Sequence, residues 1–446
     1  MPTNYIMSED QTPNASSPFS RRRFVKNTTL GTAAFGLGSL SQLSAAEDPK
    51  TKKLKVGVVG LGGRGSGAVS DILNADPDTI LWATGDIFDK TKKRVAGFKK
   101  RFGGRIDTDE GKREFIGFDA YQKVIDSGVD IVLLTSTPAF RPLHFEAAIA
   151  AGKHAFIEKP FALDIPGLKK IVETAKKARS NGQSVVTGLV WRYSPHLIEL
   201  HKRLQDGEIG DVLSTSSSYC GGGRPNPMPD IKYKPAEMSD MEWSLRFWQS
   251  YLELGGDGTL EYMIHGIDRM SWAMGDAMPV KCYGNGANVF PLPGANAFDS
   301  FSMRFEYADG RTADFLGRQI RRTYAASGDD IIGTKGQALA RSNSASIIRD
   351  GKVVWETKGG LDYVNEHKVL TSHIRSGKVY NDVIGQFDNT HAMCIMGRSA
   401  GYTGGLITDK QLMASTDELV KNIKDLTFET PFEAREPAQP GITKFS

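Results

Sequence analysis

From Leu54 onward, short apolar runs alternate with amphipathic stretches. The β-branched run Lys55 to Val59 predicts a buried strand, and an alanine-containing helical pattern begins a few residues later. Thr79 to Ala83, Val129 to Leu134, His154 to Ile157 and Ser184 to Gly188 repeat the strand signal. They are short and nearly all apolar, as suits a parallel sheet covered on both faces. Helices are predicted between them, including His144 to Ala151 and Pro166 to Ser180, the latter closed by Asn181-Gly182. The lysine-rich stretch Asp89 to Arg101 reads as a solvated helix face. This alternation predicts right-handed βαβ units in a doubly wound sheet over residues 54–190, with ligands beyond the carboxyl ends of the strands.

After residue 190 the pattern changes. Strands are predicted at Val212 to Tyr219, Val280 to Val289, Phe298 to Tyr307 and Arg311 to Arg318, then at Ala338 to Ser342, Ser346 to Arg349 and Lys352 to Glu356. Ala308-Asp309-Gly310 and Arg349-Asp350-Gly351 are hairpin signals, so successive strands pair antiparallel. Residues 191–426 therefore read as a second, different domain whose strands pair antiparallel. Helical runs over Val383 to Ala400 and Asp409 to Ser415 are expected to return to the interface between the two halves. Residues 427–446 read as an extended tail or oligomer arm.

Residues 1–46 lie outside this pattern. Ser20-Arg21-Arg22-Arg23-Phe24-Val25-Lys26 has the form of a twin-arginine export signal, followed by a weakly apolar run and the small residues Ser44-Ala45-Ala46. A membrane span needs about 20 strongly apolar residues, and Thr, Gly, Ser and Gln interrupt Thr28 to Leu43. A cleaved signal is expected rather than an anchor, with the twin-arginine translocase as a transient partner and the periplasm or exterior as destination. A formal net charge of +4 over 446 residues gives no electrostatic case for nucleic acid or an anionic membrane. Three scattered cysteines suggest neither a disulfide framework nor a zinc site, and the histidines lack metal-ligand spacing, so no metal is expected.

The candidate chemistry begins at Gly60-Leu61-Gly62-Gly63-Arg64-Gly65, which has the spacing G-x-G-x-x-G between a strand and a helix. The first glycine suits a tight turn, the second lets backbone approach a pyrophosphate, and the third lets helix pack on strand. Asp86 closes the second strand about 20 residues later, where a carboxylate takes the ribose hydroxyls of NAD and repels the extra phosphate of NADP. The third strand runs into Thr135-Ser136-Thr137-Pro138, small residues suited to the nicotinamide side. The fourth ends in Glu158-Lys159-Pro160. A lysine in a cleft can lower its pKa and accept a proton, while an exposed turn with an ion pair is the plainer reading. Further on, Thr259 is a candidate cap for a helix that stops near Gly275. On that helix Glu261, His265, Asp268 and Trp272 share one face. Arg246 and Trp248 suit sugar binding by hydrogen bonds and stacking, or an ordinary amphipathic segment.

Taken together, Leu54–Gly67, Ala150–Pro160 (AAGKHAFIEKP) and Gly255–Gly275 resemble the Gfo/Idh/MocA oxidoreductase family, most closely its twin-arginine-exported bacterial members. The resemblance reaches to about Ser415. It implies a Rossmann domain followed by a second α/β domain with an open, mainly antiparallel sheet. It makes Lys159 the catalytic lysine, in reach of both nicotinamide and a substrate hydroxyl, and His265 an active-site residue. Relatives usually carry Asp where this chain has Glu261, which leaves the role of that carboxylate open. Trp191 and Arg192 resemble cofactor contacts of relatives, or are a packing tryptophan and a surface arginine. His144 and Glu158 complete the candidate cofactor contacts. The expected function is an exported NAD-dependent sugar or polyol oxidoreductase, a dimer or tetramer through its exposed sheet face. The alternatives are an NAD-dependent glycosidase working by transient oxidation and elimination, and a non-catalytic carbohydrate-binding protein.

Overall fold

The structure is a computed structural model and describes residues 52–223 and 227–445. The predicted export signal lies outside the described residues. The first half runs β1 (Leu54–Val59), α1 (Gly63–Ala75), β2 (Thr79–Asp86), α2 (Thr91–Phe102), β3 (Glu114–Ile116), α3 (Ala120–Asp126) and β4 (Ile131–Leu134). It continues with α4 (Arg141–Ala150), β5 (His154–Ile157), α5 (Ile165–Ser180) and β6 (Val185–Thr187). These strands form one parallel sheet in the order β3-β2-β1-β4-β5-β6. The β-branched and leucine side chains of β1 and β4 are buried on both faces, which is why their sequences are continuously apolar. Asp164 caps α5 by accepting the Gly167 N–H at 2.7 Å, with Pro166 in the first turn. The edge strand β3 had no signal in the apolar pattern because none of its residues is fully buried.

The second half begins with α6 (Pro195–Gln205), β7 (Val212–Gly221), α7 (Asp240–Arg246), α8 (Leu252–Gly255) and α9 (Ile264–Ala273). Then follow β8 (Lys281–Ala287), β9 (Ser300–Glu306), β10 (Thr312–Gln319), β11 (Ala326–Gly333), β12 (Gly336–Arg341), β13 (Ser344–Arg349) and β14 (Lys352–Lys358). The last elements are α10 (Tyr363–Ser376), α11 (Asp388–Thr403), β15 (Ile407–Thr408) and α12 (Asp409–Ala414). The nine strands are ordered β14-β13-β12-β11-β7-β10-β9-β8-β15, antiparallel except for the central pair β7 and β10. Alternate residues Ala313, Phe315 and Gly317 of β10 face α9, while Asp314 and Leu316 face out.

Two regions depart from expectation. Helix α10 leaves the second sheet and packs on α1 and β6, and Val185 N–H bonds to the Tyr380 carbonyl at 2.7 Å. The chain thus returns to the first sheet, and one hydrophobic cluster joins Val132 and Phe161 of the first half to Ile267, Phe305 and Met393 of the second. The tail is not an extended arm. Phe428, Phe432 and Ala434 pack with Phe88, Phe118 and Phe140, the Arg435 N–H bonds to Glu253 at 2.8 Å, and Gly441 N–H bonds to the Thr403 carbonyl. Aromatic residues spaced through an otherwise polar segment supply the apolar contact that a polar reading overlooks.

Candidate active site

The loop after β1 is held in a tight turn. Gly60 adopts φ +93°, and its N–H bonds to the Gly85 carbonyl at 2.8 Å. The Thr135 hydroxyl, at the end of β4, donates to the Gly60 carbonyl at 2.7 Å. At Gly65 a Cβ would lie 1.9 Å from that carbonyl oxygen, so only glycine lets α1 approach β1 so closely. Gly62 and Gly63 have nothing within 4 Å of an added Cβ, and no side chain caps α1. The first turn of α1 therefore offers backbone N–H groups and the positive dipole end to an anion. Asp86 is buried, accepting from Leu61 N–H at 2.7 Å and Phe88 N–H at 2.9 Å. These features fit a dinucleotide: a narrow glycine turn, an open helix N-terminus and a carboxylate at the end of β2.

A cavity of about 790 Å³ runs from this loop to the second half of the molecule. Gly60, Gly62, Gly63, Arg64, Asp86, Thr135, Ser136, Thr137, Pro138, His144, Glu158 and Lys159 line it, together with Arg246, Trp248 and Glu261. Leu61 and Gly65 lie behind the turn. Thus strand ends that are far apart in sequence converge where the pattern placed the ligand. Lys159 Nζ donates to the backbone carbonyl of Glu261, which links the end of β5 to the turn before α9. Glu158 accepts from Arg64 Nε at 2.7 Å, so the Arg64 guanidinium is tied to the strand end. His144 is buried between Tyr121 and Phe140, and its Nδ1 lies 3.0 Å from the Ser136 hydroxyl. Burial, reinforced by the charge of Arg141, pushes its pKa down to about 3, so it stands as a neutral ring.

The helix carrying Glu261 does not begin as expected. Asp257 takes the Thr259 N–H at 2.7 Å, so Asp257 and not Thr259 does the capping. Residues Thr259–Met263 then form a π-helical turn before α9. The extra residue in that turn separates Glu261 from the face of α9. Its carboxylate accepts from Gln249 Nε2 at 2.7 Å and Gln319 Nε2 at 3.1 Å. His265 does not line the cavity. Its ring packs on Tyr219 and its Nδ1 is buried without a hydrogen-bond partner. Burial and the charges of Lys159, Arg269 and Arg64 hold its imidazole well below the usual range.

The rest of the expected stripe is structural. Asp268 is fully buried and paired with Arg192 at 2.8 Å, and Trp272 stacks on His201 with centroids 3.6 Å apart. Neither Trp191 nor Arg192, expected as cofactor contacts, lines the cavity. Arg192 is buried between Asp268 and Asp276, whose two carboxylates neutralise it. Trp191 packs in the core beneath β11 and β12. Arg246 reaches the cavity wall, where its guanidinium pairs with Glu242 at 2.5 Å and lies over the Phe88 ring.

Sequence reasoning missed three contributors. Arg141, fully buried, donates to the carbonyls of Leu134 and Ser136 and so shapes the β4 terminus. Gln249 and Gln319 hold the Glu261 carboxylate. For Gln319 a signal existed: it is the last inward position of β10, where a polar residue follows Ala313, Phe315 and Gly317. Among the described residues there is no cluster of metal-ligating side chains, and no helix is long and apolar enough to cross a membrane. The three cysteines are buried and free.

Comparison with known proteins agrees with this geometry. Residues 54–184 match the family model described as an oxidoreductase family with an NAD-binding Rossmann fold. Residues 197–339 match the model of the Gfo/Idh/MocA C-terminal domain. The chain is 26% identical over 233 residues to an inositol 2-dehydrogenase of Salmonella typhimurium, covering 52% of this chain and 57% of that protein. It is 24% identical over 224 residues to a glycosyl hydrolase family 109 protein of Streptomyces coelicolor, covering 46% of each. The chain thus spans about half the length of the curated relatives it matches. The crystal structure of an aldose-aldose oxidoreductase from Caulobacter crescentus, complexed with glycerol, shares the fold with a TM-score of 0.63 at 16% identity, covering 80% of this chain and all of that one. With residues 54–184 and 197–339 matched by two models of one family, and the glycine turn, Glu158 and Lys159 meeting in one cavity, this chain belongs to the Gfo/Idh/MocA oxidoreductase family.

Proposed function

We propose that the protein is an exported, NAD-dependent oxidoreductase acting on a sugar or polyol hydroxyl. The observation that carries this reading is the shared cavity, in which Lys159 stands between the dinucleotide loop and Glu261. The glycine turn, the N-terminus of α1 and Asp86 would hold the dinucleotide, with Thr135, Ser136 and Thr137 at the nicotinamide end. Bound NAD supplies the hydride acceptor. Lys159 then takes the proton of the hydroxyl being oxidised, with its Nζ aimed by the Glu261 carbonyl. Glu261, fixed by two amides, presents an acceptor to a neighbouring substrate hydroxyl. Trp248 and Arg246 form the outer wall for the sugar ring. Asp86, with two backbone N–H groups already converging on it, favours NAD over NADP.

A cyclic polyol such as inositol is a first substrate to test, given the dehydrogenase among the relatives. Lys159→Ala is expected to lower kcat by about 10²–10⁴-fold while dinucleotide binding persists. Unchanged turnover in that variant would remove the proposed base. The glycosyl hydrolase among the relatives favours one second reading, hydrolysis by transient oxidation, elimination, hydration and re-reduction. Release of an aglycone without net cofactor reduction is its signature. Export rests on Arg21, Arg22 and Arg23, and replacing Arg22 and Arg23 by lysine is expected to retain the protein in the cytoplasm.

A further inference from the structure

Helix α11 grips the segment that carries Lys159. The Phe161 N–H, two residues beyond Lys159, donates to His391 Nε2 at 3.1 Å, and the two rings stack with centroids 3.5 Å apart. His391 Nδ1 lies 3.1 Å from the Phe387 carbonyl one turn earlier. A backbone N–H can only donate and a carbonyl can only accept, so these two contacts fix the ring as neutral, with its proton on Nδ1. Seven residues on, and therefore on the same face of the helix, Arg398 Nη1 donates to the Leu163 carbonyl at 2.7 Å. It also reaches the Gly256 carbonyl at 3.4 Å, in the turn that leads to Glu261. Thr390, beside His391, donates to Asp268 on α9 at 3.1 Å. One helix thus holds the Lys159 segment and the Glu261–His265 segment in register. His391 and Phe161 are both fully buried, so no water substitutes for the bond.

We propose that His391 is a positioning residue for Lys159, acting through the Phe161 N–H. The proposal rests on Lys159 being the base of the reaction above. In the glutamine variant His391→Gln the side-chain oxygen reproduces the acceptor at Nε2. In His391→Asn the shorter carboxamide reproduces only the Nδ1 side and leaves the Phe161 N–H without its acceptor.

The test is limited acylation of the folded, full-length protein with acetic anhydride, read by mass spectrometry as labelling of Lys159 relative to the exposed Lys92. Polyol oxidation is measured in parallel. His391→Asn is expected to change Lys159 labelling by about fivefold or more and to lower kcat by about tenfold or more, with KM and dinucleotide affinity within about twofold. His391→Gln is expected to stay close to wild type in both. Equal labelling in all three proteins would overturn the proposal, as would a glutamine variant as impaired as the asparagine one. Labelling needs no turnover, so if the wild type oxidises no polyol the functional reading fails while the positioning result still stands or falls by itself.

Discussion

At the scale of single residues, the glycine turn and the buried histidines make the sharpest claims. Gly65→Ala places a methyl group 1.9 Å from the Gly60 carbonyl, a backbone atom that cannot move without opening the turn. We expect this variant to keep its far-ultraviolet circular dichroism and lose dinucleotide binding by about 10²-fold or more, measured by titration of cofactor fluorescence. His367, on α10, is fully buried against Phe156; neither ring nitrogen has a hydrogen-bond partner, the Glu366 carboxylate lies 3.9 Å from Nε2, and burial, then the charge of Arg64, pushes its pKa down to about 3. In the unfolded chain the same ring titrates near 6.5, at about its model-peptide value. The folded value is depressed, so its contribution to stability is complete above pH 6.5 or so and is lost as pH falls from there toward 3, where the unfolded chain binds the proton and the folded one does not. His367→Phe should flatten that limb. The stability difference between variant and wild type should shift in the variant's favour by about 1.4 kcal/mol for each unit of pH lost in that window, as read from urea unfolding at a series of pH values.

At the scale of elements, continuity of apolar residues made the parallel strands other than β3 legible, and hairpin turns marked the antiparallel pairs β9–β10 and β13–β14. Strand β11 escaped notice although it lies in the middle of the second sheet. Its sequence, ASGDDIIG, carries two aspartates, and Asp329 points inward because Arg269 and Ser217 meet it there. A buried ion pair defeats a pattern that equates inward with apolar. The site was legible where local sequence makes it, at Gly60 to Gly65 and Glu158 to Pro160. It was not legible where tertiary packing decides. Arg192 gave no hint that Asp268 and Asp276 would enclose it, and the Thr259 N–H that opens the π turn is taken by Asp257, two residues before the expected cap. The tail belongs to this scale too. Phe428 packs on Phe88 and Phe118, which line the cavity. Phe428→Ala is expected to cost about 1–3 kcal/mol of stability and to speed release of bound dinucleotide. Denaturant titration and a cofactor-exchange assay check the two effects. Unchanged exchange would mean that the tail covers the wall without supporting it.

At the scale of the whole molecule, no helix among the described residues covers the outward face of the second sheet. Tyr283, Leu316 and Ile332 stand exposed on outward positions of β8, β10 and β11. Such a face suits a second copy of the chain. A dimer or tetramer is expected by light scattering, and Leu316→Glu should shift it toward the monomer. A wild-type monomer at all concentrations would exclude this interface.

On the proposed function, one cavity holds a nicotinamide dinucleotide and exposes it to a hydroxyl beside Lys159. The most direct measurement is the absorbance and fluorescence of nicotinamide in the purified protein, before and after addition of free sugars, polyols and nitrophenyl glycosides, with Lys159→Ala run alongside. Reduction of bound nicotinamide by a free sugar or polyol, lost in the variant, is the predicted result. A protein that neither carries nor takes up dinucleotide would contradict the assignment of the glycine turn to a dinucleotide, and aglycone release without reduction would contradict net oxidation.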